Sequence, residues 1–256
     1  MKRNAPILVT PTKAPRAAVL AIPGLNNSRR IWTDLAHDLA SRHLMLFSLE
    51  LRRKEQPPTR LGAAWIDEVN RATVELRQCY PDLPLYHLGY SLGAAVSLCA
   101  TAHRPDLFQR LVLLAPALTF RKTSSLVRVL LPLARLRIAL PSVAAAEFRE
   151  GPWCSLHQYR ALFATAQQAV LQLPQVRSPT TILIHQRDEL LDAAALKRLV
   201  DRSMNSALSI ELLTGDEPWG ERPSYQAPRH MLFSRSDQSP RSWKHLIDQI
   251  CIALEC

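Results

Sequence analysis

The chain of 256 residues lacks the features that would place it across a membrane or build it around a metal. No uninterrupted apolar stretch reaches the roughly 18 residues of a transmembrane helix. No apolar run of signal-peptide length follows the charged residues Lys2 and Arg3. The histidines show no spacing typical of metal ligands, and no Gly-x-x-x-x-Gly-Lys phosphate loop occurs. We therefore expect no transmembrane span, no metal and no organic cofactor.

The chain has few cysteines, and their positions do not suggest disulfide pairs. The five cysteines have neither paired nor metal-like spacing and lie at positions 79, 99, 154, 251 and 256. An odd, scattered set is typical of a reducing compartment, so we expect a cytoplasmic protein. Apolar residues make up 47% of the chain, which is enough for one large domain or a core with a lid.

Acidic residues are absent from one stretch of a chain whose net charge is +10. Between Phe120 and Pro141 there are five cations and no acid: Arg121, Lys122, Arg128, Arg135 and Arg137. The spacing of seven between Arg121, Arg128 and Arg135 predicts one line along a helix. Pro132 is expected to break or kink that helix near Leu131.

The line of Arg121, Arg128 and Arg135, called here the basic stripe, has three interpretations. It is a solvated face, an interfacial helix on anionic lipid at the inner face of the membrane, or a recognition site for an acidic substrate such as an acyl carrier. Nucleic acid is not an expected partner, because the chain has no basic–aromatic motif of that kind.

The pentapeptide Gly-Tyr-Ser-Leu-Gly at 89–93 lies where a strand pattern changes to a helix pattern. Apolar and aromatic residues at Leu85–Leu88 predict a strand, and small apolar residues at Ala94–Ala100 predict a buried helix. Ser91 on the tight turn between them is forced into a strained conformation with its hydroxyl outward, and the flanking glycines give room for the turn. The start of the helix aims N–H groups at the same point. These are the requirements of an activated nucleophile.

A partner acid is expected on a loop after a later strand. β-Branched and apolar residues at Thr180–His185 predict a buried parallel strand. Asp188 follows on the loop, where the catalytic residues of open α/β sheets gather. The alternative is that Asp188 or Asp192 only caps the next helix, which is predicted from Asp192 to Met204. Asp192 suits the capping role well, which leaves Asp188 for catalysis.

The base must be a histidine that follows the acid in the chain. A strand is predicted over Ala207–Leu213, and a polar, Pro-rich loop after it contains His230. His245 is the only other histidine in range, and it falls inside the helix predicted over Ser242–Leu254. We therefore take His230 as the general base. The two histidines inside strand patterns are expected to be core or strand-end residues, His87 and His185.

With these residues in this order, the chain resembles the α/β-hydrolase family over nearly its whole length. The segments that carry the resemblance are Ala18–Ser28, Ile31–Trp32, Leu35–Leu39, His103–Ala117 and His185–Leu191. The resemblance implies a mostly parallel central sheet flanked by helices, with a helical lid inserted after the strand that follows the nucleophile helix. It implies a core of residues 1–117 and 177–256 and a lid of residues 118–176, with a second lid helix around Leu156–Leu171.

The sequence departs from the family pattern at a few positions. Pro23 replaces the usual histidine of the oxyanion loop, a residue that shapes the loop and carries no proton. The oxyanion donors implied by the resemblance are the backbone N–H groups of Leu25 and Leu92. Gln186 stands where a glycine is common, and one strand candidate, Ile7–Thr10, precedes the strand around Val19, so the antiparallel start of the sheet is shortened.

The resemblance implies a serine hydrolase of the carboxylesterase or monoacylglycerol-lipase type, acting on small esters with apolar acyl chains through Ser91, Asp188 and His230. Leucines in the lid indicate an apolar substrate pocket, although they also serve to pack the lid on the core. A thioesterase or acyltransferase with the same three residues is the alternative within enzymes. An inactive hydrolase scaffold used for binding is the alternative outside them. The sequence leaves the oligomeric state open.

Overall fold

A computed structural model describes residues 7–54, 57–105, 108–214, 229–232, 235 and 238–255. The charged N-terminus up to residue 6 and the Pro-rich loop at 215–228 lie outside the described residues. Within the described part, no helix is long and apolar enough to cross a membrane.

Seven strands form one sheet, in the order β1-β3-β2-β4-β5-β8-β9. The strands are β1 (Ile7–Val9), β2 (Ala17–Ile22), β3 (Leu44–Ser48), β4 (Leu85–Tyr90), β5 (Arg110–Leu114), β8 (Thr180–His185) and β9 (Leu208–Leu213). Only β1 runs antiparallel to its neighbour, and the other six are parallel. The mostly parallel sheet expected from the sequence is confirmed, and so is its single antiparallel strand at the start.

The strands β2 and β3 are buried along their whole length because both faces of the sheet are covered. All six residues of β2 and all five of β3 are buried, as a parallel sheet between two helical layers requires. Connections between parallel strands are right-handed as a rule, so the reversal in strand order at β2 places helices on both faces. The carboxyl ends of β2, β4 and β8 therefore meet at one edge.

Eight helices lie between and after the strands in the described residues. They are α1 (Thr33–Ser41), α2 (Leu61–Cys79), α3 (Leu92–His103), α4 (Lys122–Ser125), α5 (Val127–Leu130), α6 (Leu156–Gln172), α7 (Ala193–Ser203) and α8 (Pro240–Leu254). The helices α2, α3 and α6 pack on one another. Trp243 of α8 donates to Asp38 of α1, and Asp248 of α8 accepts from Arg42, the residue that follows α1. The helices expected around Ala94–Ala100, Leu156–Leu171, Asp192–Met204 and Ser242–Leu254 are confirmed with small shifts in their ends.

Residues 118–176, called here the 118–176 segment, connect β5 to β8. The segment contains α4, α5, a 3₁₀ helix at Leu131–Leu136, a hairpin of β6 (Ala139–Pro141) and β7 (Trp153–Ser155), and α6. A capping box between Ser155 and Gln158 starts α6, with each side chain bonding the other residue's backbone N–H.

The prediction that Arg121, Arg128 and Arg135 lie along one line of a helix is wrong. Arg121 precedes α4 in an extended conformation, and α5 ends at Leu130, where a 3₁₀ helix begins. Pro132 lies in the first turn of that 3₁₀ helix and has no N–H to continue an α-helical ladder, as expected of the break near Leu131. The three arginines therefore do not form one line, and each has its own surroundings.

Candidate active site

Ser91 occupies the turn between β4 and α3 in a backbone conformation that is rare for any residue but glycine. Its φ is 50° and its ψ is −112°. The Ser91 carbonyl accepts hydrogen bonds from Ala95 N at 3.3 Å and Ala117 N at 3.1 Å, and its N–H donates to Leu114 O at 2.9 Å. The strain is thus maintained by the ends of two strands and a helix, as a nucleophile elbow requires.

Gly93 is the point at which α3 comes closest to the end of β2. A Cβ atom on Gly93 would lie 2.1 Å from the carbonyl oxygen of Ile22 and 2.6 Å from that of Pro23. Both are backbone atoms that cannot rotate away. The close contact brings the start of α3 against the loop that begins at Pro23, so the glycine sets the distance between elbow and loop.

We expect Gly93→Ala to destabilise the protein by about 3 kcal/mol through overpacking against backbone. Gly62→Ala is the matched control, because its new Cβ would meet the Oγ1 of Thr165 at 2.9 Å, a side chain that can turn. It is expected to change stability by less than about 1 kcal/mol, since alanine favours the helix. Urea unfolding of both variants measures this, and equal stabilities would contradict the account.

A hydrogen-bonded chain of side chains runs from Ser91 to Asp188. The Nε2 of His230 lies 3.0 Å from the Ser91 Oγ, and its Nδ1 lies 2.8 Å from the Oδ2 of Asp188. Both His230 and Asp188 are buried. The three residues found in the sequence therefore meet at the carboxyl ends of β4 and β8, although 139 positions separate Ser91 from His230.

The Asp188 carboxylate is oriented by its own loop. Its Oδ1 accepts hydrogen bonds from the backbone N–H groups of Leu190 and Leu191, each at 2.8 Å, which leaves Oδ2 for the imidazole. The alternative role of helix cap belongs to Asp192, whose Oδ1 accepts from Ala195 N at 2.8 Å. The capping role expected of Asp192 is confirmed, and the Asp188 Oδ2 contacts His230.

Arg121 is exposed, but its hydrogen bonds tie it to the loop of Asp188. Its Nε donates to the backbone oxygens of Asp188 at 2.5 Å and Leu191 at 3.2 Å. Its backbone N–H donates to Leu190 O at 2.9 Å. Arg121, the first cation of the 118–176 segment, therefore supports the loop that carries Asp188.

Tyr90 packs its ring against the imidazole of His230, with 5.2 Å between ring centroids. Burial raises the pKa of Tyr90 well above its usual value, and the negative charges of Asp188 and Glu189 raise it further. The phenol consequently stays neutral across the physiological range and presents an apolar wall beside the histidine. Tyr90 lies within the pentapeptide, but no local pattern indicates its contact with His230.

The residues expected to supply the oxyanion donors lie on either side of the elbow. Leu92 is the first residue of α3, where backbone N–H groups have no helical acceptor. Leu25 follows the Pro23-Gly24 turn after β2 and lines the cavity beside Ser91. Both also line a smaller cavity behind the loop.

Asn26 ties this loop to the 118–176 segment. Its φ is 60°, and its buried Nδ2 donates to Ser142 Oγ at 2.8 Å and to Gly151 O at 2.6 Å. The Asn26 carbonyl accepts from Glu150 N at 3.0 Å. The loop after β2 is thereby anchored to a part of the chain more than 100 positions away, a contact that no local pattern could reveal.

Ser91 and His230 open onto a mostly apolar cavity of about 880 Å³, including its mouth. The 118–176 segment contributes more than half of its lining: Phe120, Ser124, Val127, Ser142, Val143, Ala144, Cys154, Tyr159, Leu162 and Phe163. The core contributes Leu25, Tyr90 and Met231, among others. At the rim, the Arg128 guanidinium lies 4.5 Å from the Phe163 ring centroid, so this cation stacks on an aromatic wall.

Three further histidines that the sequence singled out have surroundings of their own. His87 and His185 are fully buried within β4 and β8, as expected, and burial lowers the pKa of His87. His245 is on α8 with its Nε2 3.5 Å from Glu211. Among the described residues, no cluster of three or more His, Cys, Asp or Glu side chains is arranged to hold a metal ion.

The sheet, the elbow and the loops at its carboxyl edge define an α/β-hydrolase. The model of the Hydrolase_4 family, described as serine aminopeptidase, S33, matches residues 13–215, and the chain belongs to this family. That match covers the elbow and the acid loop.

The individual proteins that the chain resembles share a minority of its residues. The chain is 24% identical to mouse monoglyceride lipase over 138 residues, a match that spans 52% of the chain and only 46% of the mouse protein. It is 31% identical to lipase LipV of Mycobacterium tuberculosis over 162 residues, covering 63% and 60% of the two chains. In structure it resembles a soluble variant of Saccharomyces cerevisiae monoglyceride lipase, with a TM-score of 0.72 over 96% of the chain and 89% of that protein at 14% identity.

Proposed function

We propose that the protein is a serine hydrolase that cleaves carboxylic esters with apolar acyl chains, of the carboxylesterase or monoacylglycerol-lipase type. The observation that carries the proposal is the chain of contacts Ser91–His230–Asp188, at 3.0 and 2.8 Å, at the floor of an apolar cavity. The relatives named monoglyceride lipase and lipase favour the same chemistry.

In this proposal His230 takes the proton from Ser91 as the Ser91 Oγ attacks the ester carbonyl carbon. The tetrahedral intermediate expels the alcohol, which receives the proton from His230, and an acyl-enzyme remains. Water, activated by the same imidazole, then releases the acid. Asp188 holds the imidazole in the required tautomer and stabilises its charged form. The N–H groups of Leu25 and Leu92 bind the oxyanion, and losing such a donor typically costs roughly 3–4 kcal/mol.

The substrate class is inferred from the walls of the cavity. The cavity is lined mainly by leucine, valine and aromatic side chains, which leave few hydrogen-bonding groups near Ser91. Such walls favour an apolar acyl group over a polar acyl group. Residues 118–176 act in this proposal as a lid over the core of residues 1–117 and 177–256. The support for it is their large share of the cavity lining.

Labelling with a fluorophosphonate probe, followed by peptide mapping, tests the proposal directly. We expect labelling at Ser91 and hydrolysis of monoacylglycerols and p-nitrophenyl esters that increases with acyl length up to the capacity of the cavity. A thioesterase would instead prefer acyl thioesters of the same length. An inactive binding scaffold would show no labelling of Ser91.

We also propose that this protein is cytoplasmic and that its 118–176 segment contacts anionic lipid at the inner face of the membrane. The described cysteines form no disulfide bond with one another, which favours a reducing compartment. Between residues 126 and 153, four large apolar side chains are more than half exposed, Leu126 at 65%, Val129 at 74%, Leu136 at 67% and Trp153 at 54%. Exposed cations, among them Lys122, Arg135 and Arg137, lie in the same stretch. Apolar and basic groups together suit an anionic interface.

Sedimentation with phosphatidylglycerol vesicles tests this contact. The double variant Leu126→Asp, Val129→Asp is expected to lower vesicle binding about 10-fold, because two apolar anchors are replaced by charges that the lipid repels. Ile252→Asp on α8 is the control, since it changes another side chain that is 69% exposed, and it should bind as the parent does. Binding should weaken in high salt. A parent protein that stays in the supernatant at all salt concentrations would refute the membrane contact.

A further inference from the structure

A second carboxylate, that of Glu189, is the neighbour of Asp188 in the chain. Glu189 follows Asp188 directly, but its carboxylate faces the backbone of His230 and not the imidazole. The Glu189 Oε2 accepts hydrogen bonds from Arg229 N and from His230 N, each at 3.1 Å. The Oε1 lies 3.3 Å from Arg229 N. One carboxylate thus accepts the N–H groups of two consecutive residues, the second of which is the proposed general base.

The two neighbouring acids therefore hold one histidine at two places. Asp188 bonds the ring through Nδ1, and Glu189 bonds the main chain from which that ring projects. Hydrogen bonds from N–H groups to a carboxylate are roughly twice as strong as those to a neutral acceptor. The Glu189 side chain is only 21% exposed, so water competes weakly for them. The loop of Asp188 and Glu189 therefore orients the imidazole of His230 and also sets the position of the His230 Cα atom.

The Arg229 guanidinium completes the arrangement without touching the relay. Its Nη1 lies 3.1 Å from the Glu189 Oε1, and this side chain is one-third exposed. The ion pair neutralises the carboxylate charge. It does not replace the two shorter backbone bonds, because these reach Oε2. The structure therefore offers a way to remove the ion pair while leaving the backbone contacts in place.

We infer that Glu189 is a positioning residue, which holds the main chain at Arg229 and His230 so that the imidazole stays within reach of Ser91; the inference rests on the proposed function of the relay. A misplacement of about 1 Å in such a group typically costs roughly 100-fold in rate. Binding of substrate in the cavity does not depend on the contact, because Glu189 does not line it.

Steady-state kinetics on a soluble p-nitrophenyl ester, with the second-order rate of fluorophosphonate labelling, test this role. We expect Glu189→Ala to lower kcat and the labelling rate between about 10-fold and 100-fold, with KM within about twofold of the parent. Glu189→Gln keeps one oxygen acceptor and is expected to lose less than Glu189→Ala. Arg229→Met, the control that removes only the ion pair, should retain kcat within about threefold. Thermal unfolding of each variant shows that the compared proteins are folded.

Three results would overturn the inference: a Glu189→Ala kcat within twofold of the parent, a raised KM with kcat unchanged, or an equal loss in Arg229→Met. The parent and Ser91→Ala are measured in the same series. An active parent with an inactive Ser91→Ala and a fully active Glu189→Ala refutes the role of Glu189 alone. A Ser91→Ala as active as the parent refutes the proposed function and this inference together.

Discussion

Ser91→Ala is expected to lower ester hydrolysis by about four orders of magnitude or more while the protein remains folded. The Oγ atom forms the acyl-enzyme in the proposed mechanism, and alanine has no atom to replace it. The substitution also removes a hydroxyl from a strained turn whose backbone bonds are made by Ala95, Ala117 and Leu114, so the elbow itself keeps its partners. Initial rates on a p-nitrophenyl ester and the unfolding midpoint measure the two effects separately.

Ser124→Ala is the matched control for this prediction. Ser124 also lines the cavity, on α4 of the 118–176 segment, but belongs to no part of the relay. We expect it to keep kcat within about twofold and to retain labelling by the fluorophosphonate probe. If Ser91→Ala hydrolysed the ester at the parental rate, the assignment of the nucleophile would be wrong. Equal losses in both variants would indicate a general disturbance of the cavity.

Substitution of the general base is expected to have an effect of similar size. His230→Ala removes the proton acceptor 3.0 Å from the Ser91 Oγ and leaves the buried Asp188 Oδ2 without its imidazole partner. We expect kcat to fall by about four orders of magnitude, because members of such a relay act as a unit and the remaining rate comes from the oxyanion donors and from binding. KM is expected to change little, since the apolar walls of the cavity remain.

His245→Ala provides the comparison that the sequence suggests. His245 is the other histidine that follows the acid, and it lies on α8 with half of its side chain exposed, 3.5 Å from Glu211. Its removal is expected to leave kcat unchanged and to alter stability by no more than an exposed pair contributes, about 0.5 kcal/mol. A larger loss of activity in His245→Ala than in His230→Ala would show that the base had been assigned to the wrong residue.

Local patterns were enough to predict the turn at Ser91 and the elements around it. A run of apolar and aromatic residues placed β4, small apolar residues after the pentapeptide placed α3, and a β-branched run placed β8. Asp192 could be identified as a helix cap for the same reason, because its partner, Ala195 N, is three residues away. Features that depend on neighbours along the chain are the ones a sequence reports best.

The basic stripe shows where such reasoning fails. A spacing of seven predicts one face only if the helix continues, and the chain between Arg121 and Arg135 changes from extended to α-helical to 3₁₀. Arg121 bonds the acid loop and Arg128 stacks on Phe163, so two of the three cations have partners that are distant in sequence. β3 was also not anticipated, although the apolar run at Leu44–Phe47 is a usable signal for it.

The sequence by itself determined the turn at Ser91, the strand before Asp188, the parallel sheet that carries them and the apolar character of the 118–176 segment, because each of these follows from composition, periodicity and turn chemistry over a few residues. Only the tertiary structure decided how far Ser91 lies from His230, that Asn26 joins the loop after β2 to Gly151, and that Glu189 bonds the backbone of the histidine. These contacts join residues from 41 to 139 positions apart, and their geometry follows from the packing of the whole sheet.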